Sequence, residues 1–316
     1  RQGANCMSGY KYLFGPVPSR RLGASLGVSP IPERTCNYSC VYCQLGRTLR
    51  MTNTRQEFFP LEEILAEFRE YLRGSIPFDV VTVVGEGEPT LYSRLGELIA
   101  GLKKETDKPV AVITNGALLY DAEMRRELME ADIVLPSLDA VTEEQYRKID
   151  RPMGSIGFAE MAEGLRQFAR EYQGQLWIEI MLVDGMNDSP EDIAAFKEFL
   201  GTIDYDRVYL NTPVRPPAEG FVHTSAPERI DLAARELGGI SIDQLTSGSF
   251  FSEVEDPYEA ILSIARRHPM NQFEVESFLE AREIPADQRQ ALMERLGQDP
   301  GITVVPYKGI ITYRVN

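Results

Sequence analysis

Short apolar runs alternate with helix-period stretches along the first two thirds of this 316-residue chain, and that alternation limits the fold more than any other feature. Asp79–Val84 is a continuous β-branched run of the kind a strand covered on both faces requires. Ahead of it Ala24–Ile31 reads as a first strand, and Leu61–Arg73 carries apolar residues at helical spacing. Beyond it, helices near Leu91–Glu105 and Ala122–Ala131 precede strands Val110–Thr114 and Ile133–Ser137. Helical segments Glu143–Ile149 and Phe158–Tyr172 precede strand Leu176–Val183, and helix Pro190–Leu200 precedes strand Arg207–Asn211. About six β/α units predict an α/β fold whose parallel sheet is closed or partly closed into a barrel.

Into this pattern one loop sets Cys36-Asn37-Tyr38-Ser39-Cys40-Val41-Tyr42-Cys43, three thiols in C-x3-C-x2-C spacing. The only other cysteine is Cys6, in residues 1–6, which read as a cloning remnant ahead of a natural start at Met7. Clustered soft thiolates suit zinc or an iron–sulfur cluster rather than magnesium or calcium. A closed zinc site needs four ligands, and the only histidines, His223 and His268, lie alone and far downstream. An odd number of cysteines in one loop of a Cys-poor chain speaks for a reducing compartment and against a disulfide framework. A four-iron cluster with three protein ligands and one open iron is the reading that remains.

At these residues the chain resembles the radical S-adenosylmethionine (SAM) superfamily, whose signature is C-x3-C-x2-C with an aromatic before the last cysteine. The resemblance implies that Cys36, Cys40 and Cys43 hold a [4Fe-4S] cluster whose open iron is chelated by SAM, with Tyr42 packed near the adenine. It also implies a (β/α)6 partial TIM barrel over roughly Phe14 to Pro217. Gly85-Glu86-Gly87-Glu88-Pro89-Thr90, after the second strand, looks like the family's Gly-Gly-Glu motif for the SAM amino group, with Glu88 the better match and Glu86 the alternative. Thr114-Asn115-Gly116 and Pro136-Ser137-Leu138-Asp139 put an amide, a hydroxyl and a carboxylate at the next strand ends, where α/β folds place ligand sites. In similar enzymes the residues matching Asn115 and Ser137 contact the ribose or the methionine carboxylate, with Asp139 assisting.

Other polar groups are read from position. Glu179, inside Trp177-Ile178-Glu179-Ile180-Met181, is a carboxylate in an apolar strand, so it is expected to face the barrel lumen near SAM or substrate. Asn211 and Arg215, at the end of the sixth strand, border the same region. Gly15-Pro16-Val17-Pro18-Ser19-Arg20-Arg21-Leu22-Gly23 reads as turns, and the guanidinium forks of Arg20 and Arg21 suit a carboxylate or phosphate of a substrate.

After Pro216-Pro217 the chain changes character. Residues 218–254 read as a connecting segment with a helix at Pro227–Leu237. A second unit follows from about residue 255: helices Tyr258–Arg267, Gln272–Ala281 and Ala286–Leu296, then strand-like runs Ile302–Tyr307 and Ile310–Arg314 split by Lys308-Gly309. Three helices closed by a hairpin resemble a winged helix. From Glu253 onward there are 11 acidic and 7 basic side chains, a poor footprint for DNA. Peptide recognition, an inter-domain brace or a dimer contact fits better, and a plain stabilising role is the simplest reading.

The formal net charge of −15 argues against a broad nucleic-acid surface. No run approaches 18 apolar residues, and Met7-Ser8-Gly9-Tyr10-Lys11-Tyr12-Leu13 lacks a signal-peptide core, so a cytoplasmic protein is expected. With three thiols besides Cys6, there is no cysteine set for a second cluster. The expected activity is reductive cleavage of SAM to methionine and a 5′-deoxyadenosyl radical that takes hydrogen from a small-molecule or peptide substrate. A low-potential donor such as flavodoxin or ferredoxin is the expected partner. The Gly-Pro-Val-Pro-Ser-Arg-Arg-Leu-Gly, cysteine-loop and Gly-Glu-Pro-Thr-Leu segments together look like uncharacterised relatives of wyosine-forming tRNA enzymes. Modification of a tRNA base is therefore the alternative. A non-enzymatic redox sensor with a winged-helix output is a third reading, and the SAM-type strand-end motifs count against it.

Overall fold

The computed structural model describes residues 9–19, 21–74, 76–242, 250, 252, 254–307 and 310–316. Residues 1–6, Met7, Arg20 and Lys308-Gly309 lie outside the described residues, as does part of the segment 218–254. β1 (Leu13–Ser19) pairs antiparallel with β2 (Gly23–Val28). β3 (Thr35–Cys36) and β4 (Arg50–Met51) form a two-stranded ribbon that brackets the cysteine loop. α1 (Leu61–Tyr71), β5 (Val80–Val83), a 3-10 turn at Pro89–Leu91, α2 (Leu95–Glu105) and β6 (Val110–Thr114) follow. α3 (Ala122–Leu128), β7 (Ile133–Pro136), α4 (Glu143–Ile149), α5 (Phe158–Glu171) and β8 (Gln175–Met181) come next. α6 (Pro190–Leu200), β9 (Arg207–Asn211), α7 (Pro227–Leu237) and β10 (Ile240–Ser241) complete the large sheet.

That sheet has the order β1-β2-β5-β6-β7-β8-β9-β10, parallel from β2 onward. Sequential parallel neighbours joined by helices curl into a partial TIM-type barrel, left open between β1 and β10. Side chains on the helix-facing side, among them Val28, Val83, Val112, Val134, Ile178 and Leu210, join the main core and are almost fully buried. The lumen face alternates with them. Val80, Ala111, Ile133, Trp177 and Tyr209 plug its lower end with apolar side chains. The next inward positions toward the strand C-termini, Thr82, Ile113, Glu179 and Asn211, line a cavity instead. The barrel thus has a dry floor and a polar mouth.

The segment expected as turns, 15–23, is largely the strand β1. Prolines 16 and 18 disguise it, yet among the described residues β1 is an edge strand with no ladder partner on its outer side, so the missing N–H groups cost little there. The two-residue strands β3, β4 and β10 are too short for periodicity to register.

The C-terminal region contains α8 (Pro257–Ala265), β11 (Met270–Asn271), α9 (Gln272–Ala281), α10 (Ala286–Gln298), β12 (Ile302–Tyr307) and β13 (Ile310–Val315). Its strands form an antiparallel sheet ordered β11-β13-β12. Tyr258, Ile261, Ile264, Met270, Phe278 and Leu296 make a separate core, and Val17 of β1 packs against it from the barrel. An Asn271 capping box closed by Glu274 starts α9 and fixes Glu274 in orientation.

Candidate active site

The cysteine loop is held from outside by backbone and side-chain bonds. Ser39 N–H donates to the Asp150 carbonyl at 3.1 Å and Val41 N–H to the Ile149 carbonyl at 2.9 Å, tying the loop to the end of α4. The hydroxyls of Tyr38 and Tyr146 meet at 2.5 Å, and Thr48 Oγ1 donates to the Tyr38 carbonyl at 2.6 Å. A forked ion pair from Arg47 to Glu219, at 2.9 and 2.8 Å, fastens the far side. These anchors turn Cys36, Cys40 and Cys43 into one cavity of about 450 Å3. All three are free thiols.

Around the thiols the wall is polar. Tyr38 N–H donates to Cys36 Sγ at 3.4 Å and Asn115 Nδ2 to the same sulfur at 3.7 Å, while the Cys40 thiol faces Asp150 Oδ1 at 3.8 Å. Burial pushes all three thiols up from their ordinary value, so a bare thiolate is disfavoured there. A thiophilic metal group displaces those protons, and donors already aimed at Cys36 suit the charged sulfur that results. Among the described residues no three His, Cys, Asp or Glu side chains converge on a point that would hold one metal ion. Three free thiols on one cavity are the donor set an iron–sulfur cluster takes, each sulfur binding a different iron.

The loop after β5 touches the cysteine loop directly. A Cβ at Gly87 would overlap the Thr35 carbonyl, which accepts from Glu88 N–H at 3.1 Å, so only glycine permits this approach. Glu88 is buried and points into the wall. Its Oε1 accepts from Thr90 N–H at 3.1 Å and from the hydroxyls of Thr90 and Thr114 at 2.6 Å each, and its Oε2 accepts from Asn115 N–H at 2.8 Å. Glu86 instead lines the cavity and faces Arg267 of the C-terminal unit at 3.7 Å. Burial holds its carboxyl above the ordinary value, and Arg267 pulls it back down.

Asn115 also donates to Asn37 Oδ1 at 2.7 Å, bracing the loop between the first two cysteines. Ser137 is half-buried and its backbone bridges to Glu179. Tyr42 lines the cavity and donates its hydroxyl to the buried Asp139 carboxylate, which also accepts from Met181 N–H at 2.7 Å. Burial pushes the Asp139 carboxyl above its ordinary value against those two donors. Glu88, Asn115, Ser137 and Asp139 stand in or behind the wall, whereas Tyr42, Glu86 and Glu179 face the space itself.

Glu179 shares the lumen side with Trp177 and Met181, forms an ion pair with Arg21 and accepts from Asn211 Nδ2 at 3.2 Å. Burial pulls Arg21 down to about 10. Arg215 lines the cavity too, but its guanidinium is turned to the C-terminal unit: it forks onto Glu274 at 2.9 and 3.1 Å, meets His268 Nε2 at 2.6 Å and donates to the Pro269 carbonyl. Arg34, Phe250, Arg267, His268 and Glu274 complete the wall and carry no local sequence signal, because distant segments bring them there.

A family model described as the Radical SAM superfamily matches residues 31–197. The chain is 32% identical over 314 residues to UPF0026 protein MJ1312 of Methanocaldococcus jannaschii, covering 96% of this chain and 95% of that protein. It is 43% identical over 205 residues to a protein of Brachyspira hyodysenteriae named GTPase Obg; the match spans 65% of this chain but 30% of that protein. The crystal structure of a radical SAM methyltransferase from Sphaerobacter thermophilus shares the fold, with a TM-score of 0.51 at 18% identity over 70% of this chain and 67% of that one.

Proposed function

The chain belongs to the radical SAM superfamily and is an enzyme of it, and from that premise we propose that Cys36, Cys40 and Cys43 hold a [4Fe-4S] cluster whose open iron takes SAM. A [4Fe-4S] cluster held by these thiols would supply one-electron reduction of the SAM sulfonium, the source of the radical chemistry that removes hydrogen from a substrate. The carrying observation is that three half-buried free thiols open into a single cavity walled by strand-end polar groups.

The chain's own residues orient and enclose. Tyr42, Glu86 and Glu179 offer a phenol ring and two carboxylates to the adenine and amino ends of the cofactor. Glu88, with both oxygens bonded inside the wall, holds the loop shape; Glu86, beside the open space, is the better placed of the two for an ammonium group. Asn115 steadies the cysteine loop, and Ser137 and Asp139 support the wall next to it. Arg21, Asn211 and Arg215 border the substrate side. The C-terminal region is a winged-helix-like domain from about residue 255 that closes the mouth, since Arg267, His268 and Glu274 lie on the same cavity as the thiols. Closure excludes water and oxygen from a reactive intermediate.

The cavity of about 450 Å3 is shared with the cluster and SAM in this reading, so the substrate is a small molecule or a peptide side chain that reaches its mouth. A low-potential donor such as flavodoxin or ferredoxin supplies the electron in this reading. The test is low-temperature paramagnetic resonance of anaerobically iron-loaded, dithionite-reduced protein. Adding SAM is expected to change the cluster spectrum through direct ligation; an unchanged spectrum with full iron content would overturn the reading.

A further inference from the structure

The charged side chains that line the cavity leave a remainder when they are matched. Arg21 pairs with Glu179, Arg215 with Glu274, and Arg267 with Glu86. Among the described residues Arg34 finds only its chain neighbour Glu33 as an acidic partner, at 3.3 Å and more exposed than itself. A second arginine comes to the same place from the other end of the chain. A Cβ at Gly46 would lie 3.6 Å from Arg314 Nη1 and 3.7 Å from Arg34 Nη1, so the two guanidinium groups meet over one notch. Gly46 is three residues from Cys43 and bonds to it, its N–H donating to the Cys43 carbonyl at 3.1 Å.

Both arginines are set there by structure. Arg34 sits at φ 47°, a left-handed backbone that a long side chain adopts at a cost. Arg314 belongs to β13 and donates Nη2 to the Pro216 carbonyl at 2.6 Å, while its Nε is buried without a hydrogen-bond partner. Two like charges that border one partly buried notch favour a nearby anion.

We propose that Arg34 and Arg314 are the electrostatic partners of the thiolate-bound cluster at Cys43, so that the C-terminal hairpin, through Arg314, sets the reduction potential of the cluster. The inference rests on the cluster reading above. Reduction adds an electron, taken from an external low-potential donor, to a group already made anionic by its thiolates; nearby positive charge favours that state and raises the potential. Arg314 is a positioning residue in this scheme and touches neither cofactor nor substrate. Docking of the C-terminal unit against the barrel then brings a charge to the cluster as well as closing the cavity.

The experiment is a mediated redox titration of the iron-loaded full-length chain, read by optical and paramagnetic signals, for wild type, R314Q, R314K and R34Q. Wild type without an iron–sulfur signal would refute the cluster reading itself. Given that signal, R314Q and R34Q are expected to titrate at more negative potential with unchanged iron content, and R314K, which keeps the charge, to stay near wild type. Equal potentials in wild type and R314Q overturn the inference, as does an R314K shift as large as that of R314Q. Should R314Q load poorly, R34Q, on the barrel side of the same notch, decides by the same reading.

Discussion

Glu179 shows how a single polar residue reports its surroundings. A carboxylate between Ile178 and Ile180 had to meet a cavity or a partner, and it meets both: the lumen and the Arg21 guanidinium. Glu179→Gln strands a buried guanidinium and is expected to cost on the order of 3–5 kcal/mol in chemical denaturation. The paired change Arg21→Met with Glu179→Leu should restore most of that, while leaving cofactor cleavage impaired; a double variant as unstable as the single would show that the pair does more than neutralise. Gly87→Ala tests the contact between the loop after β5 and Thr35, since the added Cβ has no room against that carbonyl. A loss of about 1–3 kcal/mol is expected, with reduced iron uptake, because the carbonyl it displaces immediately precedes Cys36. Unaltered stability and loading would contradict this. The thiols were legible because their spacing is local, and Glu179 because it violates an apolar pattern. Arg34 and Arg314 were not, since nothing in 34 or 314 taken alone says that they meet over Gly46.

Elements were legible where amphipathic period and length were both ample. Strands Val110–Thr114 and Arg207–Asn211 and helices Glu143–Ile149, Pro190–Leu200, Pro227–Leu237 and Gln272–Ala281 have the bounds their patterns indicate. β1 was hidden by prolines that an edge strand tolerates. The link between barrel and C-terminal unit was hidden too, because Arg215 advertises a charge but not its partner. Arg215→Ala removes the fork onto Glu274 and the bonds to His268 and Pro269. Amide hydrogen exchange should then accelerate in α8 and β11 and around Glu86 while β6 and β7 stay protected; uniform protection would mean that the brace is not carried by this residue. Within the C-terminal unit, Asp299 accepts from the Tyr258 hydroxyl at 2.5 Å and from Gly301 N–H at 2.7 Å, which hold its carboxyl below the ordinary 3.8. A folded-state value lower than the unfolded one gives stability that is present above pH 3.8 and lost as the pH falls through the lowered value. Asp299→Asn should therefore flatten the acid limb of the stability profile, and an identical limb in wild type and variant would refute the assignment.

At the scale of the molecule, residues of the partial barrel and of the C-terminal region line the same cavity. Among the described residues no helix is long and apolar enough to cross a membrane. With a net charge of −15, bulk tRNA should not be retained at moderate salt, as a filter-binding assay would register. Retention that weakens steeply with added salt would instead favour the nucleic-acid substrate. The class of chemistry was readable from the cysteine loop and the β/α alternation, whereas the enclosure of the site depends on contacts between segments more than two hundred residues apart, such as Arg267 with Lys11. The most direct measurement is anaerobic incubation of the iron-loaded, dithionite-reduced chain with SAM, followed by chromatography of the products. Release of 5′-deoxyadenosine and methionine, abolished when Cys36, Cys40 or Cys43 is replaced by serine, is the result expected. An intact SAM pool over a fully loaded, reduced cluster would contradict the account.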